Sequence, residues 1–73
     1  MSKILTLNGM IMSKYESQAA CAKTIGWSKQ RLNRIVNGAS EPTLHEVYEL
    51  SSALDQPFMT VAQIFLPRET TNG

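Results

Sequence analysis

Apolar positions along this chain recur at helical rather than alternating spacing, in short runs parted by turn residues. Leu7, Met10, Ile11 and Lys14-Tyr15 predict a first helix over about residues 6–15, preceded by an arm at about 1–5 and weakened at its start by Gly9. Ser17 reads as the N-cap of a second helix, "QAACAKTI", which Gly26 ends. Ser28 then caps a third, Lys29 to Val36, with Leu32, Ile35 and Val36 as its apolar stripe. Asn37-Gly38 stops that helix, the glycine supplying the left-handed backbone favoured at a helix C-terminus. After "ASEP", Thr43 and Glu46 stand in a capping-box relation, and Leu44, Val47, Tyr48, Leu50 and Leu54 are expected as the buried face of a fourth helix. "DQP" breaks it. A fifth segment within Pro57 to Leu66 brings Phe58, Val61, Ile64 and Phe65, with Thr60 and Gln63 in the relation of a second capping box. Pro67 ends it and "RETTNG" reads as a polar tail. The pattern predicts an all-α chain, five short helices around one core, as a single domain over 1–73.

Composition narrows the chemistry. Seventy-three residues make one small domain, in the range where a single core is marginal but folds without staples. The one cysteine, Cys21, excludes an internal disulfide, and the one histidine, His45, has no companion at metal-ligand spacing. No Gly-rich phosphate loop or nucleophile–base motif is present, so neither an enzyme nor a cofactor is expected. No apolar run approaches the roughly 18 residues a membrane span needs, and "MSKILTLNG" is too weak for a signal peptide. A soluble, cytoplasmic protein is the expectation.

Charge changes the picture through its distribution, because the formal net charge is only +1. From Lys14 to Arg34 the chain holds Lys14, Lys23, Lys29, Arg31 and Arg34 against Glu16 alone. From Ile35 onward, Arg68 stands against Glu41, Glu46, Glu49, Asp55 and Glu69. Positive charge gathers in the middle of the chain, on the second and third predicted helices.

The join between those two helices has a specific form. Ala22 is small where two crossing helices approach, Gly26 tolerates positive φ in the turn, and Leu32 with Ile25 and Ile35 fills the enclosed space. "SQAACAKTIGWSKQRLNRIVNGASEPTLHEVYELSSAL" resembles the five-helix domain of the lambdoid phage repressors and Cro proteins, also called Xre-type regulators. The resemblance rests on Gln18, Ala22, Gly26, Ser28, Asn37-Gly38, Pro42 and Ala53-Leu54, and covers about Ser17 to Leu54. It implies a lambda-repressor-like fold with the helix-turn-helix at helices 2–3. The implied partner is double-stranded operator DNA, bound as a homodimer on two half-sites.

A recognition helix presents its N-terminal residues to base edges, here Lys29, Gln30, Asn33 and Arg34. Lys and Arg suit guanine O6 and N7, and Gln and Asn suit adenine N6 and N7. Gln18 and Ser28 match the family's phosphate-contacting positions at helix starts. Arg31, Asn37, Ser40 and Thr43 are the further phosphate candidates, Arg31 lying near enough to the reading face to take a base instead. Ile11 and Val36 stand where many relatives carry a paired Arg and Glu. An apolar pair replacing a buried ion pair is often neutral or stabilising, so a packing variant is expected, with one phosphate-proximal arginine fewer. Trp27, larger than the residue relatives usually have, is expected to cover the helix crossing. The segment from Leu54 to Thr60 runs a few residues longer than the common pattern. The missing Arg–Glu pair and near-neutral charge also suit a second class of function, the same fold as a protein-binding module such as an antirepressor or an inhibitor of a host protein.

Overall fold

A computed structural model describes residues 5–66 of the chain. It holds α1 (Leu5–Tyr15), α2 (Gln18–Ile25), α3 (Lys29–Val36), α4 (Leu44–Ala53) and α5 (Phe58–Phe65), with no strand among the described residues. The expected arm lies outside them apart from Leu5, which opens α1, and the expected tail at 67–73 lies outside them too.

Side chains close the helix starts as their chemistry requires. The first N–H groups of a helix have no partner inside it, and a Ser or Thr oxygen just before the helix supplies one. Ser17 Oγ accepts from the Ala20 N–H at 3.1 Å, and Ser28 Oγ from the Arg31 N–H at 3.0 Å. At α4 the box is reciprocal. Thr43 Oγ1 accepts from the Glu46 N–H at 3.0 Å, while Glu46 Oε1 accepts from the Thr43 N–H at 2.8 Å. Gly26 ends α2 at φ 90°, its N–H bonding back to the Ala22 carbonyl at 2.9 Å. Gly38 (φ 76°) turns the chain out of α3 in the same left-handed region, which a side chain makes costly.

α5 starts differently from the expectation. Its N-cap is Pro57, without a side-chain cap bond, and Thr60 already lies inside the helix with its N–H on the Pro57 carbonyl at 3.0 Å. The Thr60–Gln63 capping box is therefore not formed. The ring holds Pro57 at φ −59°, which favours helix entry directly behind it.

Leu7, Ile11, Cys21, Ala22, Leu32, Ile35, Val36, Val47, Leu50, Leu54 and Val61 form one buried cluster drawn from all five helices and the end of α4. Each large aliphatic side chain buried there contributes about 1.5–3 kcal/mol relative to exposure. Ile11 and Val36 are both fully buried, so the apolar pair standing in for Arg and Glu packs inside the core. Burial also pushes the Cys21 thiol pKa up. Ser51, the buried polar member of α4, donates its hydroxyl to the Tyr48 carbonyl at 2.8 Å and so needs no outside partner.

The α4 face requires a correction. Val47, Leu50, Ser51 and Leu54 turn inward, whereas Leu44 and Tyr48 are 74% and 60% exposed. At about 100° per residue, the two outliers fall on one flank of the arc that the buried four occupy. Elsewhere the C-terminus of α1 is tied to the end of α4. Tyr15 donates its hydroxyl to the Ala53 carbonyl at 2.7 Å, and Lys14 pairs with Asp55.

Candidate nucleic-acid interface

α3 divides cleanly by face. Leu32, Ile35 and Val36 are fully buried, while Lys29, Gln30, Asn33 and Arg34 are exposed and line one open concavity of about 600 Å³. The period of 3.6 residues turns 30, 33 and 34 away from 32, 35 and 36, while Lys29, on the flank nearer Val36, is exposed at the first position of the helix. Eight residues make a helix about 12 Å long, comparable to the width of the B-DNA major groove. No acidic residue lies in α2 or α3.

The remaining candidates surround that face in two groups. On one side, Gln18 at the start of α2 is half-buried and accepts from Asn33 Nδ2 through Oε1 at 3.2 Å. Asn37, at the C-cap of α3, donates through Nδ2 to Asn33 Oδ1 at 3.1 Å. Gln18 Nε2 in turn donates to Asn8 Oδ1 on α1 at 3.2 Å. Thus Gln18, Asn33 and Asn37 are brought together, and with them Asn8, which sequence reasoning missed. Its only local signal is a polar side chain beside the buried Leu7, a common arrangement on any amphipathic helix.

On the other side stand Arg31, Ser40 and Thr43. Arg31 Nε and Nη2 donate to Glu46 Oε2 and Oε1 at 2.9 and 2.6 Å, Nη1 donates to Ser40 Oγ at 2.6 Å, and Nη2 also donates to the Glu41 carbonyl at 3.2 Å. Four of the five guanidinium N–H bonds are engaged within the protein. The expectation of Arg31 on a phosphate or a base therefore meets a different geometry, a fork gripping a carboxylate. That guanidinium, with the burial-opposed help of the Thr43 N–H, holds the Glu46 carboxyl at a pKa of about 2. Ser40 and Thr43 belong to the same structure, Ser40 as an Arg31 acceptor and Thr43 as the α4 cap. Ser28 is exposed, its oxygen occupied by the α3 cap and its O–H left to donate outward.

Trp27 is half-buried against the core and donates Nε1–H to Glu49 Oε1 on α4 at 2.9 Å. That bond joins the turn to α4 and satisfies the indole's one donor, the role of a packing residue at the crossing. No group of three or more His, Cys, Asp or Glu among the described residues could hold a metal ion. No described helix is long and apolar enough to cross a membrane.

The helix-turn-helix family model of the Xre and lambda Cro-like type matches residues 17–59, which span α2, α3, α4 and the first two residues of α5. The chain belongs to this family, whose members are DNA-binding transcriptional regulators, and its five helices form the lambda-repressor-like fold. Searches among curated proteins and among solved structures returned no match to the chain.

Proposed function

We propose that this protein is a sequence-specific regulator of the phage or prophage repressor/Cro type, which lays α3 in the major groove of an operator. The observation that carries the reading is the two-faced α3, wholly buried along Leu32, Ile35 and Val36 and open along Lys29, Gln30, Asn33 and Arg34. In this reading those four residues touch base edges. Lys29 and Arg34 favour guanine, and Gln30 and Asn33 favour adenine. Gln18, Ser28 and Asn37 touch phosphates on either side of the groove, and Ser40 and Thr43 lie farther along the same backbone. Arg31 contributes from within, by fixing the loop that carries Ser40 and Thr43. The protein acts as a homodimer on two half-sites, with exposed Met59 and Leu66 near the two ends of α5 supporting a seam there.

The test is a random-oligonucleotide selection followed by salt-dependent binding. A palindromic motif is expected, with affinity that falls as salt rises because Lys29 and Arg34 carry positive charge into the groove. Gln30→Ala or Asn33→Ala relaxes one position of the motif, and each good bidentate contact is worth about 1–3 kcal/mol. Recovery of no motif, with binding to any DNA insensitive to these substitutions, rejects the reading in favour of a protein-binding module.

A further inference from the structure

Four side-chain amides run in one direction across three helices. Asn37 donates to Asn33 at 3.1 Å, Asn33 to Gln18 at 3.2 Å, and Gln18 to Asn8 at 3.2 Å. Three of the four sit on the helix-turn-helix. Asn8 does not: it lies on α1, outside the residues 17–59 that the family model matches. We propose that Asn8 is a positioning residue for base recognition, the terminal acceptor that sets which atoms of Gln18 and Asn33 face DNA. The inference rests on the reading that α3 reads bases.

The physical basis is the ambiguity of a primary amide. Its oxygen and nitrogen ends are nearly the same size, so packing does not choose between the two orientations and hydrogen bonds must. Each amide offers two N–H donors and two acceptor lone pairs. Within the chain, Asn33 uses one N–H toward Gln18 and one lone pair toward Asn37. Among the described residues, one N–H and one lone pair stay free on the exposed side chain, the pair that adenine N7 and N6–H require. Gln18 likewise retains one N–H for a phosphate oxygen. Turning the Gln18 amide over would set its nitrogen against the Asn33 nitrogen, two donors facing each other. The Asn8 oxygen opposes a turn of Gln18 alone, because it needs a donor from Gln18; keeping every bond would take a turn of all four amides together. A neutral relay suits this task, since it leaves the charge of the reading face to Lys29 and Arg34.

The experiment compares Asn8→Ala and Asn8→Asp in the full chain, using DNA selected by the wild type. In the free protein, Asn8→Ala should shift the side-chain NH₂ resonances of Gln18 and Asn33, and Asn8→Asp, which keeps an acceptor, should restore them. On DNA, Asn8→Ala should reduce discrimination at the base pair sensitive to Asn33→Ala by about two- to tenfold, the value of one net hydrogen bond. Asn8→Asp should keep that discrimination while weakening binding to every sequence alike, because it adds negative charge. A thermal melt confirms that both variants fold. Unchanged resonances and discrimination in Asn8→Ala, with Asn33→Ala still relaxing the motif, overturn the positioning role and leave DNA reading intact. A uniform loss in Asn8→Ala with discrimination preserved overturns it too, in favour of a direct phosphate contact. An Asn33→Ala protein with unaltered base preference removes the reading of α3 and this inference together.

Discussion

Two polar networks flank α3, and they are built from different chemistry. On the side of α1 and α2, Asn8, Gln18, Asn33 and Asn37 are joined amide to amide, without formal charge. On the side of α4, Arg31 grips Glu46 with two parallel N–H···O bonds and reaches Ser40 and Glu41 as well. The ionic network is the stronger per bond, since charge-assisted hydrogen bonds are roughly twice as strong as neutral ones. It is also nearly saturated, so little of Arg31 is left for a ligand. The amide network is weaker but keeps donors and acceptors free. The difference teaches that proximity to the reading face does not assign a residue to DNA; spare hydrogen-bonding capacity is the better guide.

The largest expected effect comes from cutting the ionic network. Arg31→Ala should lower the urea-unfolding free energy by about 2 kcal/mol, because Glu46 is left part-buried with only the Thr43 groups for company. A fall in DNA affinity with stability unchanged would instead make Arg31 a DNA ligand and erase the contrast.

Acid offers a second way in. The folded Glu46 pKa of about 2 lies below the roughly 4.3 of an unfolded glutamate. Its contribution is therefore complete above about pH 5 and is lost as pH falls through 4 toward 2. Allowing for solvent screening of a carboxylate that is 20% exposed, about 1–2 kcal/mol of stability should disappear over that window. Glu46→Gln should flatten the wild-type slope of stability against pH between 5 and 2, as followed by urea titration at stepped pH.

The amide side should answer in the opposite currency. Gln18→Ala should weaken binding to all DNA sequences by about 1 kcal/mol in equilibrium titrations and also reduce discrimination at the base pair sensitive to Asn33→Ala, with thermal stability within about 0.5 kcal/mol of wild type. A large drop in stability would show the relay to be a brace rather than a presenter of donors. The smallest effect is expected at the exposed Lys14–Asp55 pair, where Lys14→Gln should leave the urea midpoint where it was. A shifted midpoint there would mean that an ionic contact stabilises this fold even in solvent.

Much of the architecture is visible before any packing is known, for reasons that can be named. Ser17, Ser28 and the Thr43–Glu46 box each act over three residues, so the caps are written in adjacent letters. The same holds for Gly26 at φ 90° and for the face division of α3, where a helical period sorts Leu32 from Asn33. α4 and α5 are less legible in the letters alone. Leu44 and Tyr48 sit on the flank of an apolar arc, and only the placement of neighbouring helices decides that the arc closes before reaching them. At Pro57 a backbone constraint overrode the attractive Thr60–Gln63 pattern.

The candidate site divides along the same line. The outward residues of α3 are legible in the letters alone, because a repeat of 3.6 residues combined with their polarity sorts them from Leu32, Ile35 and Val36. The tertiary structure alone decided what those residues meet. Arg31 and Glu46 are 15 positions apart, as are Gln18 and Asn33, while Asn8 lies 10 positions before Gln18. Hydrogen bonds across such separations follow from where helices cross, and the crossings are set by the whole buried cluster from Leu7 to Val61 rather than by the polar residues that it brings together.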